Sequence, residues 1–398
     1  MTKLQTRVDF FTRKAIWIFL QIELAFFRTA AKGYARFRKI SRNPSAPVKK
    51  IAAVWYWPED FPSASLTRMG TWKPFFEKEG IQFDSFHVGS MNEITSEFEG
   101  ENRTMVYWFY CKFAYRRFKQ FLQIYHYDVV WIDRWFLAHY PSSDGFWEHQ
   151  LKQMNQRIVM DSTDGSDYTG YSNLILSVFA QMDRLIVAYE GLYDFYAPKY
   201  PNKVYRFNYT ISEKGYLVKD NWRFDDLPVI GWMGSPSNFL FLKSIEKELQ
   251  KVFAIQPFRM IIICRQMVEL DIPGCAISYH RYGADYFELI KRFDIGLAPF
   301  TEKNFGTTGK IGMKHQEFLL CQVPQVCSPQ GISEWAKDHT HCLIAQEIEN
   351  WAPAILELLE NAHLRESIAK TGRELCLEHY TADGQWPLVR KALTDFAN

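Results

Sequence analysis

The chain has 398 residues, 47% of them apolar and 23% charged, with a formal net charge of +2. That balance excludes a disordered chain, and the length exceeds what one hydrophobic core usually serves, so two domains are expected. The seven cysteines (Cys111, Cys264, Cys275, Cys321, Cys327, Cys342, Cys376) are odd in number and contain no C-x-x-C pair, which argues against a disulfide framework or a cysteine zinc site and fits a reducing cytoplasm.

Residues 1–40 concentrate the charge, with nine basic residues against Asp9 and Glu23. Within them AIWIFLQIELAFF, Ala15 to Phe27, is too short and too polar for a spanning helix, which needs ~20 apolar residues. No small-residue cleavage pattern follows before Lys32, so a secretory signal is not expected. At ~100° per residue Arg7, Lys14, Gln21, Arg28, Lys32, Arg36 and Lys39 fall on one stripe, with Phe11, Ile16, Phe19, Ile22, Phe26, Phe27, Tyr34 and Phe37 spread opposite. This predicts an amphipathic helical arm over 1–47, with Lys14, Trp17, Arg28, Lys32, Arg36 and Lys39 facing an anionic membrane surface. The competing reading packs the same helix on the protein or on a second subunit. Nucleic acid is not expected, because the basic residues do not recur near the later motifs. SRNPSAPVKK reads as a linker.

Beyond the linker, KKIAAVWYW, IQFDSFHV, YDVVWID, QRIVMDS and DRLIVAY are short apolar runs separated by helical stretches, as in a parallel sheet of βαβ units. The pattern restarts at LPVIGWMGSPSN and continues through FRMIIICR, CAISYH, FDIGLAPF and PQVCSP to a helical C-terminus. The expected fold is therefore α/β, with two Rossmann-like domains facing a cleft. Their predicted extents are 48–220 and 221–385. A final helix over 386–398 can cross back to the N-terminal domain. Ligands of open parallel sheets bind beyond the carboxyl ends of the strands.

The stretch GTTGKIGMKHQEFLLCQVP, Gly306 to Pro324, carries the clearest chemistry. Lys310, Lys314 and Glu317 are spaced i, i+4 and i+7, on one face of a helix. A helix N-terminus favours anions, so lysines there make sense around a phosphate. Two ammonium groups can hold a diphosphate and neutralise the charge that grows on it as a sugar–phosphate bond breaks. Glu317 can accept hydrogen bonds from a pair of ribose hydroxyls. A solvated surface pair is the alternative for the lysines.

Taken together and in this order, VIGWMGSPSN, FDIGLAPFTEKNFGTTGKIGMKHQEFLLCQVPQVCSP and HLRESIAKTGRELCLEHYT resemble the C-terminal half of a family 4-like glycosyltransferase of the GT-B fold, bacterial surface polysaccharide type. The resemblance extends through YDVVWIDR and the strand before DSTDG, and is thin over 1–50 and 90–120. It implies retaining transfer of a hexosyl group from a nucleotide diphosphate sugar, independent of metal and of any cofactor. On it Lys310, Lys314 and Glu317 match the phosphate lysines and the ribose glutamate, Gly234 and Ser235 match the turn beside the diphosphate, and Thr308 joins the donor set. Two positions depart from the pattern. Gly309 stands where a first glutamate is often found, and Gln322 where a glycine commonly precedes Val-Pro; Arg265 is the one stand-in for a missing basic pair.

On the acceptor side, PSASLTRMG opens a helix after the first strand. Ser65, with Ser63, can line the cleft or cap the helix, and Arg68 can meet a phosphate or a surface partner. Asp133 and Arg134 end one strand, and DSTDGSD ends another, where Asp161 or Asp164 can orient an acceptor hydroxyl, with Asp161 counted as catalytic beside the two lysines. The spacing of these carboxylates fails the calcium-loop pattern, so no metal is expected. His139 and His315 read as structural hydrogen-bonding residues.

The expected function is sugar transfer from a nucleotide diphosphate donor to a lipid-linked saccharide or polysaccharide acceptor at the cytoplasmic membrane face. The open alternatives are a nucleotide-sugar epimerase of GT-B fold and a non-catalytic GT-B scaffold subunit of a polysaccharide assembly complex.

Overall fold

The computed structural model of the chain describes residues 3–41, 46–56, 68–94, 103–137, 144–162, 172–213, 216–224, 226–281, 286–300, 312–332 and 335–396. Two units follow from its internal packing. The first comprises Met1–Val187, Tyr196–Phe207 and Trp386–Asn398, and the second Ala188–Phe195 and Asn208–Gln385.

In the first unit the short apolar runs become β1 (Lys50–Val54), β2 (Gln82–Phe86), β3 (Val129–Asp133), β4 (Arg157–Ser162), β5 (Arg184–Val187) and β6 (Val204–Arg206). They form one parallel sheet in the order β2-β1-β3-β4-β5-β6. Strands such as VVWID and RIVMDS are buried along nearly their whole length, as a parallel sheet covered on both faces requires. The helices of this unit include α1 (Lys3–Phe37), α2 (Lys73–Lys78), α3 (Arg103–Ile124), α4 (Phe146–Gln153) and α5 (Ser172–Gln181). Arg117 of α3, fully buried, ties the helix to the carboxyl ends of β1 and β2. Its guanidinium donates to the Trp55 carbonyl at 2.7 Å and the Phe86 carbonyl at 2.9 Å. Burial pushes its pKa down to about 9.

The second unit contains β7 (Val229–Met233), α6 (Phe239–Ser244), α7 (Glu246–Ile255), β8 (Arg259–Ile263), β9 (Ala276–His280), α8 (Tyr286–Lys291), β10 (Ile295–Ala298), α9 (Met313–Leu320), β11 (Gln325–Cys327) and β12 (Leu343–Ile344). The helices α10 (Trp351–Glu360) and α11 (Ala362–His379) follow, and then α12 (Ala382–Thr394), whose residues from Trp386 onward belong to the first unit. The sheet is again parallel, in the order β12-β11-β10-β7-β8-β9. Successive strands run outward from β7 to β9, then restart at β10 on the other side of β7. Such a reversal is where open parallel sheets place their ligands.

The apolar and charged run FLFLKSIEKELQKVF forms two helices, α6 and α7, with the break at Ile245. There the Ser244 hydroxyl donates to the Phe241 carbonyl at 2.7 Å and competes with the helical ladder. β6 and β12 were not read from the sequence, because three and two residues are too few to show a period.

Candidate functional site

Two segments of the second unit stand at its switch point: the Gly234-Ser235 turn after β7, and α9, which among the described residues is the first helix after β10. α9 is capped by Gly312 in an extended conformation and begins at Met313. Lys314 is thus in its first turn. Of the three residues expected to share one helical face, the described structure includes Lys314 and Glu317. Lys310, Thr308 and Gly309 belong to 301–311, outside the described residues.

Lys314 is half-buried, with its ammonium 4.9 Å from the centre of the Trp232 ring at the end of β7. Burial drives its pKa down to about 8, and the nearby Glu317 carboxylate opposes that shift. Trp232 is itself fully buried and packs over Gly234. A Cβ at residue 234 would sit 2.6 Å from the indole. The glycine is required by this close approach, and no left-handed backbone is involved. A cation in the first turn opposes the helix dipole, so its electrostatic complement is an anion, and the indole face is only a partial substitute.

Glu317, one turn on, is 7% exposed. Its Oε1 accepts from the Tyr216 hydroxyl at 2.7 Å and the Tyr286 hydroxyl at 2.9 Å. Among the described residues no donor reaches Oε2. Burial pushes the carboxyl up to about 7, against the lowering effect of the two tyrosines and Lys314. Sequence reasoning missed both tyrosines: they lie 101 and 31 residues from Glu317, and no spacing rule links them. His315 has the structural role expected of it. Its Nδ1 pairs with Gln325 Oε1 at 2.9 Å, and burial lowers its pKa to about 4.

Gln322 has a conformational explanation. α9 ends in a Schellman motif, with the Val323 amide donating to the Phe318 carbonyl at 2.9 Å and the Gln322 amide to the Leu319 carbonyl at 3.2 Å. The motif requires a left-handed residue, and Gln322 has φ +57°. A glycine is the easiest residue to place there, so the departure at 322 concerns a helix cap and not ligand chemistry.

Residues 241–387 match the family model described as Glycosyl transferase-like. No curated protein sequence matches the chain. Solved structures do. HepE of Anabaena in complex with UDP is similar over 85% of this chain and 98% of its own, at 12% identity and a TM-score of 0.58. A glycosyltransferase of Rickettsia africae is similar over 87% and 98%, at 11% identity and a TM-score of 0.60. Sucrose-phosphate synthase of Thermosynechococcus elongatus is similar over 84% and 96%, at 13% identity and a TM-score of 0.57. The architecture is the GT-B fold.

In the first unit of this GT-B chain the structure corrects two expectations. Arg68 is expected to meet a phosphate or a surface partner and Asp161 to orient an acceptor hydroxyl, but the two are paired with each other in the interior. They are 1% and 0% exposed, and Arg68 Nε donates to both carboxylate oxygens of Asp161 at 3.1 Å. Trp131 Nε1 donates to Asp161 Oδ2 at 3.2 Å. Arg68 Nη1 donates to the Phe207 carbonyl, and the guanidinium lies 4.0 Å from the centre of the Phe207 ring. Burial raises the Asp161 carboxyl to about 6; Arg68 opposes the shift and Asp133 adds to it. Neither side chain has a surface left for a substrate.

Asp133 and Arg134 are half-buried at the carboxyl end of β3, where Asp133 is in register with Asp161 on β4. Arg134 is left-handed, φ +64°, and its amide donates to the Asp161 carbonyl at 3.0 Å. Ser65, Asp164 and His139 lie outside the described residues.

The arm is a single 35-residue helix, but its apolar side chains are not all on one face. Leu20, Leu24, Phe27, Ala31 and Ala35 are buried. Phe27 stacks on Phe118 of α3 at 4.7 Å, and the Tyr34 hydroxyl donates to the Leu122 carbonyl at 3.2 Å. Phe27 and Tyr34, on the apolar side of the wheel, are thus packed against α3. Arg28, expected to face a membrane, is corrected: it pairs with Asp144 at 2.6 Å, and its guanidinium lies 4.2 Å from the centre of the Phe146 ring on α4, so it holds the helix to the unit. Lys14, Lys32, Arg36 and Lys39 are exposed, and Trp17 is 45% exposed.

Proposed function

We propose that the chain is a glycosyltransferase that binds a nucleotide diphosphate sugar in its second unit and transfers the sugar, with retention and without a metal, to a lipid-linked saccharide acceptor. The observation that carries this reading is the Lys314–Glu317 pair at the β7/β10 switch point: a partly desolvated ammonium over the Trp232 ring, and one turn on a buried carboxylate with one oxygen that meets no donor among the described residues. The ammonium and the amides of the first turn of α9 complement a diphosphate. Lys310, four residues earlier in the chain, adds a second positive charge. As the sugar–phosphate bond breaks, negative charge accumulates on the diphosphate, and fixed cations stabilise that state more than the bound donor. Their charge answers the need a divalent cation would otherwise fill. Glu317 Oε2 accepts from the ribose, held in place by Tyr216 and Tyr286. The Glycosyl transferase-like match over 241–387 and the UDP and UDP-glucose complexes of HepE support this donor class. The setting proposed is bacterial polysaccharide assembly at the inner membrane face.

Thermal unfolding of the full chain with a panel of nucleotide sugars, UDP-glucose first, tests the reading, because a ligand of the folded state raises Tm by mass action. Lys314→Ala and Glu317→Ala are each expected to weaken nucleotide affinity by about tenfold, about 1.4 kcal/mol. Unchanged affinity in both variants would overturn the site. Turnover to an isomerised sugar without any acceptor would assign the chain to epimerisation instead.

A further inference from the structure

α1 and α3 are neighbours and run in the same direction: Phe27 meets Tyr115 and Phe118, and seven residues further on Tyr34 meets Phe121 and Leu122. One face of α1 is covered by this contact. The opposite face carries Ile18, Phe19, Ile22 and Phe26, which are 44–66% exposed. Trp108 and Tyr115 of α3 are 45% and 50% exposed. Exposed Phe26 and exposed Tyr115 each lie near the ring of Phe27, at 5.9 and 6.1 Å between ring centres, so Phe27 links the two rows. Ten of the nineteen large apolar side chains exposed among the described residues lie on these two helices. A concentration of this kind on one surface marks an interaction site.

The charge on the same helices is one-sided. Between residues 11 and 39 there are seven basic residues and one acid, Glu23, and between 103 and 124 five basic residues and no acid; Arg28 pairs with Asp144, Lys112 and Arg116 pair with Glu93, and Arg117 is buried. Glu23 is turned toward α3, where it hydrogen-bonds with Cys111, and it is half-buried. Exposed Lys14, Lys32 and Arg36 border the apolar row of α1, and exposed Lys119 follows Tyr115 on α3. No helix among the described residues is long and apolar enough to cross a membrane. Apolar side chains flanked by the exposed cations Lys14, Lys32, Arg36 and Lys119 suit an anionic lipid surface, into whose headgroup boundary such a helix sinks by roughly 5–10 Å.

We infer that α1 and α3 together form a monotopic docking face for anionic lipid, with Ile18, Ile22, Phe26, Trp108 and Tyr115 as the inserted side chains. It deepens the reading of a lipid-linked acceptor and rests on it for its purpose, but not for its geometry.

The test is flotation of the full-length protein with vesicles of phosphatidylcholine containing about one third phosphatidylglycerol, against phosphatidylcholine alone. The protein is expected to float only with the anionic vesicles and to be released by salt. The variant Ile18→Asp/Ile22→Asp/Phe26→Asp, and separately Trp108→Ser/Tyr115→Ser, should each lose about tenfold or more in partitioning. All five side chains are substantially exposed, so thermal unfolding should show both variants folded. Failure of the wild type to float, or flotation of the α1 variant at wild-type level, would overturn the inference. Loss in the α1 variant alone would overturn the joint face. If the α1 variant instead converts a dimer to a monomer in sedimentation with vesicle binding intact, the face belongs to a second copy and the inference fails. Nucleotide affinity, measured on the same samples, separates the two readings: flotation without nucleotide binding would refute the proposed donor site and leave this surface standing.

Discussion

Replacing Arg68 by alanine should destabilise the chain far more than a surface substitution, and in a way that depends on pH. The guanidinium makes two contacts to Asp161, donates to the Phe207 carbonyl and covers the Phe207 ring. Its removal leaves the Asp161 carboxylate, 0% exposed, with Trp131 Nε1 as its remaining donor among the contacts described above. Breaking a buried pair from one side costs about 3–5 kcal/mol, chiefly because the surviving charge is uncompensated. Asp161 already titrates near 6, and loss of Arg68 removes the main influence holding it down, so its folded pKa rises further. A carboxyl whose folded pKa exceeds its unfolded value is favoured by protonation, so its stability contribution is present at low pH and is lost as pH rises through the folded pKa. The deficit of Arg68→Ala relative to wild type should therefore be small near pH 5 and largest above pH 7. The double variant Arg68→Met/Asp161→Leu, which removes both charges, should recover most of the loss. Chemical denaturation of the full chain across this range measures all three. A cost under about 1 kcal/mol with donor or acceptor turnover abolished would show that Arg68 serves a substrate and not Asp161.

Three further outcomes follow from the second unit. Gln322→Gly should stabilise by about 1 kcal/mol in thermal unfolding, with nucleotide affinity unchanged, since it relieves a left-handed residue at a helix cap. In Tyr216→Phe/Tyr286→Phe the two donors that hold the Glu317 carboxyl down are gone, so its pKa should move above about 7. Donor affinity, which needs the carboxylate, should then fall off at higher pH than in wild type when titrated from about pH 9 downward; coincident profiles would refute the assigned role. Gly234→Ala places a Cβ against the Trp232 ring. It should cost about 1–3 kcal/mol from overpacking and weaken donor binding by displacing the indole under Lys314, as calorimetry with the nucleotide would show.

Much of the architecture was legible because its signals are local. VVWID, RIVMDS and VIGWM are apolar runs of strand length, and their alternation with helical stretches admits little but parallel sheets. Gly234-Ser235 directly follows a strand and Lys314 opens a helix on the loop that follows another, so both could be assigned to one end of a sheet. What those side chains touch is not local. Arg68 and Asp161 are 93 residues apart, and each alone reads as an exposed charge beside a strand end. Only their shared burial, which makes an unpaired charge untenable, commits one to the other. Tyr216 and Tyr286 reach Glu317 from separate segments by the same logic. In α1 the sequence by itself determined that the helix is basic and apolar; which apolar row the protein covers was decided by α3, because burial belongs to the pair of surfaces and not to either helix.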